Sequence, residues 1–325
     1  MHKRSANYLA PLFLIIILYL FFIGIVLLGD AFELLGRGAA EGLMRATSNP
    51  LAGLSVGVMV TALVQSSSAT TSMIVALVSA GALSVDSAVP IVMGANIGTT
   101  ITNTIVSVGH MTRKDEFERA SAAATVHDFF NIMTVAILLP LEYFTHCISI
   151  PAKMLSRLFY GMEGVKFHSP VKVATKPVVS WFTSSLGDMG LGEKSIGIAG
   201  VIVALILIFV ALAGIVKMLR SIFATNVESA LRKAFYANPY IVILLGIGAT
   251  AIVQSSSLTT SFIVPLVGAG VISVEHAFPF TLGANIGTTV TALIAALAGN
   301  MAGLAIAFCH LLFNVYGTVI FFPIA

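Results

Sequence analysis

"VQSSSATTS" (residues 64–72) lies between two long apolar segments, and "VQSSSLTTS" repeats it at residues 253–261. The chain is 58% hydrophobic, and only 10% of its residues are charged. Soluble domains carry roughly 25% charged residues, so this composition indicates an integral membrane protein. A glutamine and three serines are therefore placed twice in apolar surroundings, where polar groups are costly.

The other bulk features support the same class. The first apolar segment, Leu9–Leu28, contains 20 residues, enough to cross the hydrocarbon core as a helix. It is too long for the core of a signal peptide, and no small-residue cleavage site follows it. Two cysteines, Cys147 and Cys309, suggest neither a disulfide framework nor a metal cluster. The net charge of +3 gives no reason to expect nucleic acid as a partner.

The polar motif belongs to a long internal duplication. With a shift of 189 residues, Gln65–Thr102 aligns with Gln254–Thr291 without a gap, and 25 of the 38 aligned positions are identical. The match includes "GANIGTT", at 94–100 and 283–289, and "HDFFN" (127–131) matches "HLLFN" (310–314) at a shift of 183. Because such self-similarity decides the architecture, we interpret the chain as two copies of one unit.

The two copies are predicted to lie in opposite orientations. Lys and Arg mark cytoplasmic ends, and they cluster at the N-terminus, in "RKDEFER" (113–119) and in residues 217–233. The connector also holds six Lys or Arg, although long loops translocate largely regardless of charge. We therefore predict an all-α polytopic protein of the cell (inner) membrane with a cytoplasmic N-terminus. Its parts are a first inverted-topology repeat at 1–143, an external connecting loop at 144–195 and a second repeat at 196–325.

The serine motif predicts a broken or re-entrant helix. Successive helical residues point about 100° apart, so Gln65 and the following serines cannot all face one side, and those facing lipid would cost several kcal/mol each. We expect the glycines of "GANIGTT" to release the backbone in the same way. Interrupted segments at matched positions of inverted repeats mark the midplane site of a secondary transporter. Helix packing by small residues is the plainer explanation, but it does not account for two matched sets.

Charged residues are nearly absent from the motif regions. Between Leu51 and Ile105 only Asp86 is charged, and from Tyr240 onward only Glu275. Both acids lie in a predicted first helical turn, where a carboxylate is ordinary capping chemistry. No Lys or Arg can therefore neutralise an anion there, and burying a dianion without compensation would be prohibitive. Cotransported Na⁺ would supply the missing charge.

Asp128 is a carboxylate within a predicted spanning helix, and its equivalent in the second copy is Leu311. An intramembrane acid is a functional candidate, so we expect Asp128 to bind a cation together with Asn131. A structural pairing with a base at a helix end is the alternative. His127 and His310 are matched as well, but no other ligand type lies at metal spacing. We interpret them as hydrogen-bonded structural histidines, and we expect sodium but no transition metal.

These motifs resemble those of the type II sodium-dependent phosphate cotransporters of animals and bacteria. The paired QSSS motifs, "GANIGTTITNT", "ATVHDFFN" and "LGANIGTTVTA" carry the resemblance, which covers nearly the whole chain in two blocks. It implies Na⁺-driven symport of inorganic phosphate into the cell, with no cofactor besides the cotransported Na⁺. The chain ends two residues beyond Pro323, whereas the first copy continues well past Pro140, so the last family segment is expected to be missing.

Transferred position by position, together with the oxygen-bearing side chains of the motifs, the resemblance implies a set of site residues. The predicted phosphate ligands belong to the two QSSS motifs: Gln65, Ser66, Ser67, Gln254, Ser255 and Ser256. The predicted sodium ligands lie in all three motif types: Ser68, Asn96, Asp128, Asn131, Ser257, Asn285, Thr288 and Thr289. Asp128 occupies the position at which electrogenic members of the family keep an aspartate and electroneutral members lose it, so net charge movement is expected.

Other functions stay as alternatives. A related phosphate exporter, or another oxyanion transporter, would share the serine-rich repeats, but the exporter would be expected to carry an appended phosphate-sensing helical domain. An intramembrane hydrolase would need a base beside Ser66 or Ser67, and the motif neighbourhoods contain no His or Lys. A channel suits mixed buried anion and cation ligands less well than occlusion does. The expected partners are phosphate, Na⁺ and the lipid bilayer; the oligomeric state is open.

Overall fold

The computed structural model describes residues 6–160, 169–223, 235 and 238–324. Within these residues the regular structure is helical, and no strand is present. In chain order the helices are α1 (Ala6–Leu35), α2 (Arg37–Ala46), α3 (Pro50–Val64), α4 (Ser67–Ser79), α5 (Val85–Thr99), α6 (Ile101–Val108), α7 (Lys114–Thr145), α8 (Ser149–Tyr160), α9 (Pro170–Asp188), α10 (Glu193–Phe223), α11 (Pro239–Val253), α12 (Ser256–Gly268), α13 (Val274–Ala296) and α14 (Met301–Phe321), followed by a 3₁₀ turn at Phe322–Ile324.

The helix lengths confirm the prediction of an all-α polytopic membrane protein. By length and composition, six segments of the described chain can cross a membrane: Leu12–Leu35, Val85–Val108, Lys114–Thr145, Glu193–Ile215, Val274–Ala296 and Met301–Phe321. A bent pair, Gly38–Ala46 with Pro50–Val64, turns by 100° and would form a seventh span if it acts as one. The helices α4, α11 and α12 are too short to cross alone, as expected of re-entrant hairpins.

The contacts at the hairpin ends are consistent with opposite orientations of the copies. The end of α4 lies beside the start of α14, where Asn300 Nδ2 donates to the Ser79 carbonyl at 2.8 Å. The end of α12 lies instead beside the start of α7, where Arg119 Nε donates to the Gly268 carbonyl at 2.9 Å. The charge pattern predicts that α7 starts inside and α14 outside, and with that topology these contacts are the ones expected of hairpins that enter from opposite faces. The N-terminal basic residues and most of segment 217–233 lie outside the described residues.

The connector between the copies is more ordered than the predicted loop. Its described residues form two helices, and the first of them, α8, carries Lys153 and Arg157. The other, α9, was missed because its composition is polar and Pro177 lies inside it. It packs on α1, where Tyr19 Oη donates to the Ala174 carbonyl at 2.9 Å. The connector therefore packs directly against the first helix, α1.

Glycines bring α3 against α5 and α11 against α13. A Cβ atom built on Gly94 would lie 2.0 Å from the Leu54 carbonyl oxygen, and one on the equivalent Gly283 would lie 2.0 Å from that of Ile243. Small residues allow such close approach between helices in membranes. The prediction that the glycines of "GANIGTT" release the backbone was therefore wrong, because they lie inside α5 and the continuous α13. They serve helix packing and place the motif's asparagines.

Candidate functional site

Both QSSS motifs break a helix, as predicted. Gln65 separates α3 from α4 with φ 56°, and Gln254 separates α11 from α12 with φ 58°. This left-handed conformation is uncommon outside glycine and marks a specified turn. The next residue, Ser66 or Ser255, caps the following helix, and its hydroxyl accepts the backbone N–H three residues on at 3.2 or 3.4 Å. The same left-handed glutamine and the same serine cap therefore separate two helices in both copies.

The glutamine side chains tie each break to the helix segment that follows "GANIGTT", which is α6 in the first copy and part of α13 in the second. Gln65 Oε1 accepts from Thr102 Oγ1 at 2.8 Å, and Gln254 Oε1 accepts from the equivalent Thr291 Oγ1 at 2.7 Å. Each amide nitrogen donates to a carbonyl in the last turn of its own helix. Gln65 is exposed, whereas Gln254 is only 7% exposed. The hydrogen bond between glutamine and threonine is therefore accessible to solvent in the first copy and buried in the second.

The two breaks are in direct contact. Ser68 Oγ donates to the Gln254 carbonyl at 3.1 Å, although these residues are 186 positions apart, and Thr291 Oγ1 lies 3.4 Å from the same hydroxyl. Ser67, Ser68 and Ser256 are buried. The first N–H groups of a helix have no partner within it, so α4 and α12 both direct unpaired donors and a positive dipole end into this region. The two motifs that carry the predicted phosphate ligands are thus in contact, through Ser68 of one and the Gln254 carbonyl of the other.

Three hydroxyl-bearing residues among the predicted sodium ligands lie on α12 and α13, the helices that contact the second break. Thr288 and Thr289 are buried, and their hydroxyls donate to carbonyls of their own helix at 3.0 and 2.6 Å. Each hydroxyl oxygen retains acceptor capacity for a cation. Ser257 is also buried, in the first turn of α12. Among the described residues, no Lys or Arg donates a hydrogen bond to either QSSS motif, in agreement with the charge pattern.

Asp128 lies half-buried on α7. Its Oδ2 accepts from Thr104 Oγ1 at 3.2 Å, and its Oδ1 is buried without a hydrogen-bond partner. No basic side chain of the described chain forms an ion pair with it, so the alternative of a structural pairing finds no support there. A buried carboxylate oxygen without a partner is a vacant acceptor, which is what a cation ligand requires.

The predicted asparagine ligands are joined by hydrogen bonds between copies. Asn285 Nδ2 on α13 donates to Asn131 Oδ1 on α7 at 3.0 Å, and Asn285 Oδ1 lies 2.9 Å from His127 Nε2. The interpretation of His127 as a hydrogen-bonded histidine is confirmed, and His310 likewise contacts Asn96, at 3.4 Å. Each histidine helix therefore docks on the "GANIG" helix of the other copy.

Asn103 is a buried member of the same network that the sequence analysis missed. Its Nδ2 lies 2.7 Å from His127 Nδ1, and it is 1% exposed. The comparison of repeats gave it no weight because the equivalent residue is Ala292. The sequence did contain a signal for Asn103, because it is a polar residue whose counterpart in the other copy is apolar although the preceding segment is matched.

The acids outside the motifs have structural partners. Ser84 and Ser273 cap α5 and α13, so Asp86 and Glu275 lie in first helical turns as predicted. Asp86 also accepts from Lys153 Nζ at 2.7 Å. Together with Glu142 and His146, Asp86 forms a group of potential ligand atoms within 4.8 Å of one another. The Glu142 carboxylate already accepts two backbone N–H groups, that of Ile148 at 2.6 Å and that of Ser149 at 3.2 Å.

Comparison with known proteins agrees with the motifs. A sequence profile described as Na+/Pi-cotransporter matches residues 20–166 and 198–322. Sodium-dependent phosphate transport protein 2A of Rattus norvegicus is 35% identical over 379 aligned positions, covering 94% of this chain and 60% of the relative. Protein 2B of Homo sapiens is 35% identical, with 94% and 58% covered, and protein 2A of Oryctolagus cuniculus is 36% identical, with 99% and 62% covered. The chain thus spans about 60% of the length of such relatives. No solved structure matches it significantly.

Proposed function

Since this chain belongs to the Na⁺/Pi-cotransporter family, we propose that it couples the uptake of inorganic phosphate to an influx of Na⁺ across the cell membrane, with its N-terminus in the cytoplasm. The observation that supports this most strongly is the contact between the two helix breaks, where Ser68 of one lies 3.1 Å from the Gln254 carbonyl of the other. Two helix N-termini converge there, and a helix N-terminus favours an anion.

The phosphate ligands in this proposal come from both copies. Backbone N–H groups at the starts of α4 and α12 donate to the phosphate oxygens, together with side chains of Gln65, Ser66, Ser67, Gln254, Ser255 and Ser256. These donors are neutral. A dianion held by neutral donors in a low-dielectric region is unfavourable unless opposite charge accompanies it. Binding of Na⁺ with phosphate removes that penalty, so coupling is a requirement of the site.

The sodium ligands are oxygen atoms next to the breaks, as suits a hard cation. We assign this role to Ser68, Asn96, Asp128, Asn131, Ser257, Asn285, Thr288 and Thr289. The unpaired Oδ1 of Asp128 is the one fixed negative charge in this set. A Na⁺ bound to this carboxylate is balanced by the protein and not by the phosphate, so it crosses as one positive charge beyond those that neutralise the phosphate. Transport is therefore electrogenic in this proposal.

Uptake of radiolabelled phosphate into proteoliposomes tests the function. We expect accumulation under an inward Na⁺ gradient and none under an equal K⁺ gradient. Equal flux under both gradients would indicate a channel, export alone would indicate the exporter, and release of phosphate from an ester without transport would indicate a hydrolase. Ser256→Ala should abolish uptake. Ser55→Ala is the matched control, because that exposed hydroxyl donates only to the Leu51 carbonyl of its own helix at 2.8 Å.

A further inference from the structure

A chain of buried hydrogen bonds begins at the second helix break. Thr260 Oγ1 on α12 lies 2.8 Å from the carbonyl of Ser256, a QSSS residue, and 3.0 Å from Asn103 Oδ1 on α6. Ser261 Oγ donates to the same Asn103 oxygen at 3.2 Å. The cavity beside Asn103 and Thr260 measures about 10 Å³, room for about one water molecule. These groups therefore have one another, and at most one water molecule, as hydrogen-bond partners.

One direction of donation satisfies every contact of the chain. Asn103 Oδ1 accepts from the Ser261 hydroxyl and shares the one proton of Thr260 with the Ser256 carbonyl, so its Nδ2 donates to His127 Nδ1 at 2.7 Å. The imidazole is then neutral with its proton on Nε2, which donates to Asn285 Oδ1 at 2.9 Å. Asn285 Nδ2 in turn donates to Asn131 Oδ1. Turning any one amide over would place two donors or two acceptors face to face.

The second copy lacks this arrangement. His310 Nε2 lies 3.4 Å from Asn96 Oδ1, but its Nδ1 is buried without a partner. The position equivalent to Asn103 is Ala292, so the amide that would reach this nitrogen is missing. Four helices therefore share one continuous chain around His127, whereas the contact around His310 joins two helices only.

We propose that His127 is a positioning residue for Na⁺ coupling and that Asn103 acts through it. This rests on the proposed function, which assigns Asn131 and Asn285 to sodium. His127 does not bind the ion. It holds both asparagine amides in one arrangement and connects them to the Ser256 carbonyl at the break. Ligands that must be reoriented before binding lose affinity, so the chain around His127 sets the affinity for Na⁺.

Asn103→Ala tests the proposal with little risk to folding, because the second copy already carries alanine at this position. We expect the KM for Na⁺ in phosphate uptake to rise about fivefold, as suits the loss of one buried hydrogen bond. The KM for phosphate at saturating Na⁺ should change less than about twofold on the same reasoning. His127→Leu should raise the Na⁺ KM further. His127→Gln should restore most of it, because a glutamine amide can both accept and donate.

Ser107→Ala is the matched control, and it should leave the KM for Na⁺ within about twofold of the wild-type value, because this buried hydroxyl on α6 donates to the Thr104 carbonyl of its own helix and not to the chain around His127. Asn103→Ala added to His127→Leu should have no further effect, since both interrupt one chain. A wild-type KM for Na⁺ in Asn103→Ala, or an equal rise of both KM values, would overturn the proposal. Na⁺-independent uptake by the wild-type protein would refute the proposed function instead.

Discussion

The two helix breaks share a backbone conformation but differ in their side-chain partners. The φ and ψ angles are 56° and 28° at Gln65 and 58° and 25° at Gln254. Gln65 is nevertheless exposed, whereas Gln254 is buried and its carbonyl accepts the hydroxyl of Ser68 from the other copy. The backbone geometry of the break is therefore repeated in the two copies. The side chains in contact with it differ between them.

Two of the differences place extra polar groups in the first copy. Asn103 and Asp128 correspond to Ala292 and Leu311 in the second. The first copy also has a helix boundary at Thr100, between α5 and α6, where α13 runs on without interruption. In the proposed site, two equivalent breaks therefore share one anion, while the one carboxylate among the proposed sodium ligands belongs to the first copy only.

The largest effect is expected where the copies are most alike, at the helix-packing glycines. A Cβ on Gly94 or on the equivalent Gly283 would lie 2.0 Å from a facing carbonyl oxygen. Gly94→Ala and Gly283→Ala should each cost at least about 3 kcal/mol, at the upper end for overpacking, and lower the thermal unfolding midpoint in detergent. Gly38→Ala is the control, because nothing lies within 4 Å of its Cβ. A loss confined to one copy would show that the two pairs do not pack equivalently.

The glutamines should be equal in transport and unequal in stability. Gln65→Ala and Gln254→Ala should each abolish phosphate uptake, because both breaks contribute ligands. Gln254→Ala should also lower the free energy of unfolding by about 1–3 kcal/mol, since the Thr291 hydroxyl loses its buried acceptor. Gln65→Ala should cost less because its partner is partly exposed. Normal uptake in both variants, measured beside their unfolding midpoints, would remove the glutamines from the site.

Asp128→Leu copies the second-copy residue into the first. It should leave measurable uptake but reduce the charge moved per phosphate, because the variant lacks the ligand for the Na⁺ that is transported in excess of those balancing the phosphate. The ratio of current to radiolabelled flux measures this directly. Thr104→Val is the matched control, since it removes the hydroxyl bonded to Asp128 and keeps the charge. An unchanged ratio in Asp128→Leu would exclude Asp128 from the sodium ligands.

The smallest effect is expected for the ion pair that only the first copy's acid makes with the connector. Lys153 and Asp86 are 2.7 Å apart, with side chains 39% and 51% exposed. Exposed pairs contribute roughly 0–1 kcal/mol, so Lys153→Ala should change the unfolding midpoint little and leave uptake normal. A clear loss of uptake would show that α8 takes part in transport.

The helix breaks were predictable because four consecutive polar residues cannot all be satisfied on a regular membrane helix. The contact of Ser68 with Gln254 was not, because it depends on how two distant hairpins pack. The glycines of "GANIGTT" were misread, since glycine favours both chain breaks and close helix packing, and composition does not separate these roles. Asn103 was missed for the opposite reason. Aligning the repeats draws attention to residues that are identical in both copies, whereas the counterpart of Asn103 is an alanine.

The idea that both breaks form one anion site is tested most directly by a structure determined with Na⁺ and arsenate, a heavier analogue of phosphate with an anomalous signal. We predict one peak within hydrogen-bonding distance, about 2.7–3.2 Å, of donors from both Ser67–Ser68 and Ser256–Ser257. A peak that contacts a single break, or one that lies away from both, would contradict it.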